Sequence, residues 1–295
     1  MKEGELSIIT VNFNGSEDTG ALIKSLRDHL SIPYELIVVD NGSEKDEAAL
    51  LRERYPFIKA IRSDKNLGFA GGNNMGIKEA SGDYLFFLNN DTFVHDGSIS
   101  CLVDRMKRDP LLGGISPKIV FADTAGGIQF AGYTRLSRIT LRNRLVGYRE
   151  QDQGQHDVAR STPYLHGAAM LVRREAIEKA GVLPEIYFLY YEELDWSVQI
   201  RRKGYMLEYH PAATIYHRES SSTGQDSPLK VYYMTRNRLL FARRNLTGLA
   251  RVLSIAYQVG IALPKGVLLS ISRGRFALAK ASIKGCIDYF RMFSK

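Results

Sequence analysis

The stretch Asp83-Tyr84-Leu85-Phe86-Phe87-Leu88-Asn89-Asn90-Asp91 is a run of apolar residues that ends abruptly in three polar ones. Residues 6–11 and 34–40 are similar runs, each ending in polar and turn-forming residues. A short apolar run bounded by turn residues predicts a buried β-strand. Between these runs, residues 16–30 and 43–55 have the features of helices, apolar spacing in the first and capping residues in the second. Strands that alternate with helices predict an α/β fold with a mostly parallel central sheet.

Polar side chains stand at the ends of four strands predicted in the first half of the chain. These side chains are Thr10 and Asn12, Asp40 and Asn41, Asp64 and Asn66, and Asn89, Asn90 and Asp91. Asn and Asp favour turns, so any one of these ends has a purely structural explanation. Four together indicate a pocket, because the carboxyl ends of strands line the binding crevice of an open parallel sheet. The last turn offers the oxygen ligands that Mg²⁺ or Mn²⁺ prefers.

A glycine-rich segment at residues 66–76 opens a predicted helix. Backbone N–H groups at the start of such a helix can approach an anion closely. The segment contains neither the Gly-Lys-Ser/Thr of a Walker loop nor the pattern G-x-G-x-x-G. An ATPase and a Rossmann dehydrogenase therefore lack their main support.

Three acids, Glu192, Glu193 and Asp195, lie at the start of a predicted helix that follows two tyrosines. The helix dipole alone favours acids in a first turn. The other explanation is a general base, and because a free carboxyl has a pKa of about 4.3, burial or acidic neighbours must raise that pKa. His217 ends the last predicted strand, where it is either a packed residue or a ligand for a Mn²⁺-type site.

The charge of the 295-residue chain is unevenly distributed. The net charge is +8, and residues 228–295 hold 13 Lys and Arg against one acid, so this segment is +12 and residues 1–227 are 8 − 12 = −4. The composition excludes disordered, collagen-like and disulfide-rich classes. Cys101 and Cys286 form no CxxC pair, so we expect no thiolate metal site and a reducing compartment.

The basic C-terminal segment is predicted to be helical and amphipathic from Pro228 onward, after a flexible linker at residues 220–224. Its longest uncharged run, residues 252–264, has 13 residues. A membrane-spanning helix needs about 20, so we expect none, and we identify no secretory signal. Helices of this kind either lie on an anionic membrane surface or pack on the body or on a second subunit. Residues 122–160 are predicted to form long loops with one hairpin.

Taken together, the chain resembles the family 2 glycosyltransferases of the GT-A fold, especially their rhamnosyltransferase-like branch. The resemblance runs from about Leu6 to His217 and continues more weakly to Asn245. It is carried by seven blocks in order, residues 9–14, 38–43, 66–73, 88–92, 166–174, 191–196 and 211–217. It implies a GT-A domain over residues 1–227, with a nucleotide-sugar half at 1–95 and an acceptor half at 96–227. Residues 228–295 would be a helical extension.

The resemblance also implies roles for individual residues. Nucleotide and donor binding falls to Thr10, Asn12, Asp40, Asn66, Gly68, Asn89, Asn90 and Asp91. Metal binding falls to Asp91, Asn89 and His217, and the acceptor region includes His166, Gly167 and Trp196. Glu193 matches the catalytic base, with Glu192 and Asp195 as alternatives. The chain departs from the family where Asn89 replaces the first acid of D-x-D and where Glu193 replaces Asp.

These roles imply inverting transfer of a sugar to a hydroxyl of a glycan or lipid-linked saccharide in bacterial surface polysaccharide synthesis. The donor would be dTDP-rhamnose or, second, a UDP-hexose, with Mg²⁺ or Mn²⁺ as cofactor. The enzyme would be cytoplasmic, and the sequence leaves open contact with the inner membrane face or dimerisation through the C-terminal helices. The alternatives are a sugar-phosphate nucleotidyltransferase and a non-catalytic nucleotide-sugar-binding protein. A nucleic-acid binder ranks last, because the basic helices form no known module.

Overall fold

The computed structural model describes residues 5–122, 126–218 and 227–293, so the predicted linker at residues 220–224 lies outside them. The strands are β1 Leu6–Asn12, β2 Glu35–Asp40, β3 Lys59–Arg62, β4 Tyr84–Leu88, β5 Thr92–Phe93, β6 Leu112–Phe121, β7 Ile128–Phe130, β8 Arg160–Ser161, β9 Ala169–Arg173 and β10 Met206–His217. The helices are α1 Ser16–His29, α2 Glu47–Arg54, α3 Gly68–Glu79, α4 Ile99–Arg108, α5 Arg174–Ala180, α6 Glu192–Arg202, α7 Pro228–Asn245, α8 Gly248–Tyr257, α9 Leu263–Ser272 and α10 Phe276–Arg291.

The strands form one mixed sheet with the order β3-β2-β1-β4-β9-β6-β10-β5. The first four of these strands are parallel, as the alternation of strands and helices predicts. Strand β9 is antiparallel to both β4 and β6, whereas β10 is parallel to β6. The predicted strand at residues 164–172 is shorter in the structure because His166 and Ala169 close a tight turn around Gly167.

Both faces of the sheet are buried, since successive side chains along each central strand enter different cores. Ile8 of β1 and Phe86 of β4 join the core beneath α1, α2 and α4. Their neighbours Ile9 and Phe87 join the core on the opposite face, which includes Trp196. The central strands therefore consist of consecutive apolar residues and not of alternating apolar and polar residues.

The glycines of α3 allow this helix to lie directly on β1. A Cβ atom at Gly76 would lie 2.4 Å from Cγ2 of Ile9, and one at Gly72 would lie 2.8 Å from Cγ1 of Val11. The helix can approach the strand only because these side chains are absent. The start of α3 is thereby placed at the carboxyl edge of the sheet.

Helix α7 packs against the body of the protein rather than extending away from it. Its residues Leu239, Leu240 and Phe241 share a buried cluster with Tyr187 and Leu194, which belong to the segment around α6. Helix α10 packs along α7 and contributes Cys286 and Tyr289 to the same cluster. The two predicted units, residues 1–227 and 228–295, therefore have a common core.

A short π-helical segment, Gln258–Ala262, joins α8 and α9 into one continuous helix, Gly248–Ser272. Its 25 residues are long and apolar enough to cross a membrane by length and composition. The uncharged run at residues 252–264, on which the expectation of no membrane-spanning helix rested, therefore underestimates the length of this apolar helix. The helix is longer than that run because it continues through Lys265.

The packing of α10 on α7 can be tested with two matched glycine substitutions. A Cβ at Gly285 of α10 would lie 2.5 Å from the carbonyl oxygen of Tyr232, whereas one at Gly266 of α9 would meet no atom within 4 Å. Gly285→Ala should lower the free energy of unfolding by about 1–3 kcal/mol because it forces the helices apart. Gly266→Ala should be neutral or stabilising by up to about 1 kcal/mol, since alanine favours a helix. Urea unfolding followed by circular dichroism measures both, and equal effects would contradict this packing.

Candidate active site

A cavity of about 250 Å³ opens at the carboxyl ends of β1, β2 and β4, where the sequence predicts a pocket. It is lined by Val11, Phe13, Asn41, Asn66, Gly68, Phe69, Asn73, Phe87, Leu88, Asn89, Asn90, Asp91, Gly167, Phe188, Leu189 and Leu229. The structure thus brings six predicted site residues together: Asn66, Gly68, Asn89, Asn90, Asp91 and Gly167.

Asn41 and Asn66 fix the backbone at the start of α3. Nδ2 of Asn41 donates to the carbonyl of Gly68 at 3.0 Å, and Oδ1 of Asn66 accepts from the Gly68 amide at 2.8 Å. Gly68 has a φ of +74°, and a Cβ there would lie 2.2 Å from the carbonyl oxygen of Phe188. Only glycine fits this position, because conformation and space both exclude a side chain.

Thr10, Asn12 and Asp40 are fully buried behind the cavity and do not line it. The carboxylate of Asp40 accepts hydrogen bonds from the amides of Ser43, Glu47 and Ala48 and lies 3.5 Å from Nη1 of Arg62.

The side chain of Asn12 donates to Glu47 at 2.7 Å and accepts from the hydroxyl of Thr19 at 2.7 Å. Together, Asn12 and Asp40 hold the loops that follow β1 and β2, next to the lining residues Phe13 and Asn41.

The antiparallel pairing of β10 with β5 brings His217 opposite Thr92 and therefore beside Asp91. Nε2 of His217 lies 3.1 Å from Oδ1 of Asp91 and 3.4 Å from Nδ2 of Asn89. Nδ1 of His217 lies 2.7 Å from Oε1 of Gln129, a residue of β7. Asp91 and His217 are both more than nine-tenths buried.

These contacts fit a divalent cation. Oε1 of Gln129 lies against Nδ1 of His217 and turns Nε2 of the same ring toward the Asp91 carboxylate. An imidazole nitrogen beside carboxylate and amide oxygens is a set of ligands that Mg²⁺ or Mn²⁺ accepts. The described residues contain no group of three or more His, Cys, Asp and Glu that could hold a metal. An ion here would therefore take few protein ligands and draw on substrate phosphates and water, which is typical of Mg²⁺.

The three acids at the start of α6 have different environments. Asp195 is fully buried and pairs with Arg244 at 2.5 Å and with Nδ2 of Asn245 at 3.0 Å. Glu192 is also buried, and its Oε2 has no hydrogen-bond partner among the described residues. Burial and the neighbouring charge of Glu193 raise the pKa of Glu192 well above its usual value.

Glu193 is half-buried, and desolvation raises its pKa to about 7. Of the three acids it is therefore the one that can both lose and gain a proton near neutral pH. A Cβ at Gly167 would lie 3.8 Å from Cγ of Glu193 and 3.6 Å from the ring of Phe69, a residue that lines the cavity. This places Glu193 beside the cavity.

His166 and Tyr133 form an aromatic wall near Glu193. Their rings are nearly parallel, at 16°, with centroids 6.0 Å apart. Burial, with a smaller effect of His217, lowers the pKa of His166 to about 3, so this imidazole is neutral. Its Nδ1 accepts from the Ala168 amide at 3.2 Å, which leaves the proton on Nε2. Burial and the charge of Glu193 raise the pKa of Tyr133 well above its usual value.

Trp196 lies away from this wall, in the core behind the sheet. It is 1% exposed, and its ring packs edge-on against Phe87. The indole N–H donates to the carbonyl of Gly181 at 2.7 Å. Of the three residues predicted for the acceptor region, Gly167 lines the cavity, His166 adjoins it in sequence, and Trp196 lies in the core.

The loop that precedes Glu192 is held in a strained conformation by α7. Phe188, Tyr190 and Tyr191 all have positive φ angles, of 65°, 68° and 78°, which non-glycine residues rarely adopt. Nδ2 of Asn237, a fully buried residue of α7, lies 2.7–3.0 Å from the carbonyl oxygens of Tyr187, Leu189 and Tyr190. We call this the Asn237 clamp.

Sequence reasoning missed Gln129, Tyr133 and Asn237. Gln129 and Tyr133 lie in the stretch predicted as loops, and Asn237 lies within a helix predicted only as basic and amphipathic. Each acts through a contact with a residue far away in the chain. A single polar or aromatic residue carries no local pattern that would show such a contact.

Two relatives with known assignments match most of the chain. It is 27% identical over 244 residues to an N-acetylglucosaminyl-diphospho-decaprenol L-rhamnosyltransferase of Mycobacterium tuberculosis, covering 75% of this chain and 78% of the relative. It is 29% identical over 243 residues to the low-salt glycan biosynthesis hexosyltransferase Agl10 of Haloferax volcanii, covering 80% and 75%.

Solved structures with similar folds include two transferases. A mannosyltransferase of Pyrobaculum calidifontis, solved with GDP-Man and Mn²⁺, has a TM-score of 0.62 at 14% identity and covers 100% of this chain and 89% of its own. GalNAc-T7, solved with UDP, GalNAc and Mn²⁺, has a TM-score of 0.64 at 15% identity and covers 92% and 58%.

The family described as Glycosyl transferase family 2 matches residues 7–181, which is more than half of the chain. This range contains most of the strands and loops that line the cavity. The predicted α/β fold of the GT-A type, with helices at the C-terminal end, is confirmed by the similar structures. The chain belongs to glycosyl transferase family 2, and it is a glycosyltransferase.

Proposed function

We propose that this enzyme transfers a sugar from a nucleotide-sugar donor to an acceptor hydroxyl with inversion, using Glu193 as the general base. The observation that carries this proposal is the contrast among the three acids of α6. Asp195 is held by Arg244, and burial raises the pKa of Glu192 well above its usual value and disfavours its charged form. Glu193, with a pKa of about 7, lies beside the cavity wall at Gly167.

The donor diphosphate would lie on the side of Asn89, Asp91 and His217. These three residues would hold Mg²⁺ or Mn²⁺, and Gln129 would orient the imidazole. A bound divalent ion offsets the negative charge that develops on a departing diphosphate. The Mn²⁺ in both similar transferases supports this assignment.

Residues on the opposite side of the cavity would bind the rest of the donor. Asn66 and Gly68 line the cavity there. Thr10, Asn12 and Asp40 lie behind it, and we propose that they contact or support the nucleotide from the ends of β1 and β2. The nucleotide base would donate a hydrogen bond to Asp40, whose carboxylate already accepts hydrogen bonds from three backbone amides.

The chemical step is a single displacement. Glu193 accepts the proton of the acceptor hydroxyl while that oxygen forms a bond to the anomeric carbon. The bond between this carbon and the diphosphate oxygen breaks on the opposite face, and its electron pair leaves with the diphosphate. Neutral His166, with its proton on Nε2, can donate a hydrogen bond to the acceptor sugar.

For the donor we propose dTDP-rhamnose first and a UDP-hexose second, and for the acceptor a glycan or lipid-linked saccharide of the bacterial surface. The name of the Mycobacterium tuberculosis relative supports rhamnose and a lipid-diphosphate acceptor. The name of the Haloferax volcanii relative supports a hexose. We place the enzyme in the cytoplasm, in keeping with its two free cysteines.

The role of Glu193 can be tested with a matched pair of variants. Glu193→Gln should lower kcat by about 10²- to 10⁴-fold, because the amide cannot accept the proton. Glu192→Gln should retain most activity, because burial already disfavours the charged form of Glu192 and the amide is a neutral group of the same shape. Donor binding, measured by calorimetry, should stay nearly unchanged in both variants. Substantial turnover by Glu193→Gln would refute the assignment of the base.

The raised pKa of Glu193 predicts a specific pH dependence. The base must be deprotonated, so kcat/KM should be level above pH 7 and fall about tenfold per unit below it. Initial rates of sugar transfer between pH 5 and pH 9 measure this profile, with unfolding followed in parallel. A decline that begins only near pH 4.5 would instead indicate an ordinary, solvated carboxylate.

The cation site can be tested through Gln129, which would contact no substrate. Gln129→Leu should weaken Mn²⁺ binding about 10- to 100-fold, because it removes the acceptor that orients His217. The measurement is the Mn²⁺ dependence of thermal stabilisation by dTDP or UDP. Gln155→Leu, at an exposed position, is the matched control. Equal Mn²⁺ dependence in the two variants would contradict the proposed site.

A further inference from the structure

The helix Gly248–Ser272 has an exposed apolar stripe along one side. Leu249, Val252, Ile261 and Leu268 are 71%, 61%, 57% and 67% exposed. Exposed positions recur every three or four residues along the helix, at 249, 252, 256, 260, 264 and 268, and Ile261 adjoins this row. Helix α10 continues the surface with Phe276, Ile283, Ile287 and Phe290, of which Phe276 is 66% exposed. We call the exposed faces of these helices the tail surface.

The opposite side of the helix is fastened to the body by polar contacts. The hydroxyl of Ser254 donates to the carbonyl of Ile139 at 2.9 Å, and Nε2 of Gln258 donates to the carbonyl of Thr140 at 2.9 Å. Both side chains are buried. A helix held along its middle in this way lies on the body and presents one face outward. The exposed apolar stripe therefore faces away from the body.

Positive charges are interleaved with the exposed apolar residues. Residues 248–293 contain seven Lys and Arg and one acid, Asp288, a net charge of 7 − 1 = +6. On α10, exposed Lys280 and Lys284 alternate with Ile283 and Ile287 along one face. The acid is engaged by Lys284 and by the hydroxyl of Tyr232.

We propose that the tail surface docks on an anionic lipid bilayer. Its apolar stripe would enter the boundary of the acyl chains, while Lys and Arg would contact the lipid phosphates, as in amphipathic helices that lie in the interface. A second copy of the chain fits less well, because a twofold interface would bring +6 against +6. This inference rests on the proposed function in one respect: docking would place the enzyme at the membrane, where the proposed lipid-linked acceptor is found.

The experiment is sedimentation of the purified full chain with vesicles of phosphatidylcholine, alone or with phosphatidylglycerol. The chain should bind the anionic vesicles, and high salt should weaken that binding. The double variant Lys265→Gln/Lys280→Gln, which removes one exposed charge from α9 and one from α10, should bind roughly 25-fold more weakly, at about fivefold per charge. The control Lys24→Gln/Arg108→Gln removes two exposed charges from the body and should bind like the wild type.

A second pair of variants tests the apolar contribution. Leu268→Ser/Phe276→Ser should weaken binding to the anionic vesicles at least tenfold. Leu111→Ser/Val158→Ser, on the body at positions 60% and 75% exposed, should leave it unchanged. Circular dichroism establishes that each variant is folded.

Three outcomes would overturn the proposal: no binding to anionic vesicles, binding that the tail variants do not change, or dimerisation that these variants abolish without any vesicle binding. Light scattering measures the dimer. Glu193→Gln should bind vesicles like the wild type, because docking needs no turnover. Failure of docking and failure of the proposed catalytic step are therefore distinguishable.

Discussion

The hydrogen bond from the amide of Phe69 to the carbonyl of Phe188, 2.8 Å long, joins the start of α3 to the loop that precedes the acids of α6. It forms only because Gly68 has no side chain where that carbonyl lies. Through it, the start of α3 and the start of α6 meet at the edge of the sheet. The Asn237 clamp fixes the same loop from its other side. The geometry of the site therefore depends on the loop before α6, which Phe69 and Asn237 hold from two sides.

The three acids of α6 show that the surroundings of a carboxyl group, more than its residue type, determine its role in the protein. Asp195 has a cation and two amides for partners and is a structural group. Oε2 of Glu192 has no hydrogen-bond partner among the described residues, and burial raises the pKa of this acid well above its usual value. Glu193 lies between these extremes, half-buried beside the cavity, with a pKa of about 7. One helical turn thus contains a carboxylate in an ion pair, a buried acid whose charged form is disfavoured and an acid with a pKa near neutrality.

Strands and turns that follow from a local sequence pattern were predicted well. Apolar runs that end in Asn and Asp located the parallel half of the sheet, and Asn66, Gly68 and Asp91 do line the cavity. Thr10 and Trp196 illustrate the limit, because a pattern does not tell whether a side chain at an element's end faces the cavity or the core. Gln129 and Asn237 are determined by distant contacts. The long tail helix was underestimated because a single lysine does not interrupt a helix.

The shared core between α6 and α7 has a consequence for how the chain can be divided. The linker predicted at residues 220–224 does not separate a body that could stand without the helices after it. A protein ending there would lack the counterion of Asp195 and the Asn237 clamp on the strained loop, and Tyr187 and Leu194 would be exposed. Helix α7 is therefore part of the framework that holds the acids of α6, and a shortened chain must keep it.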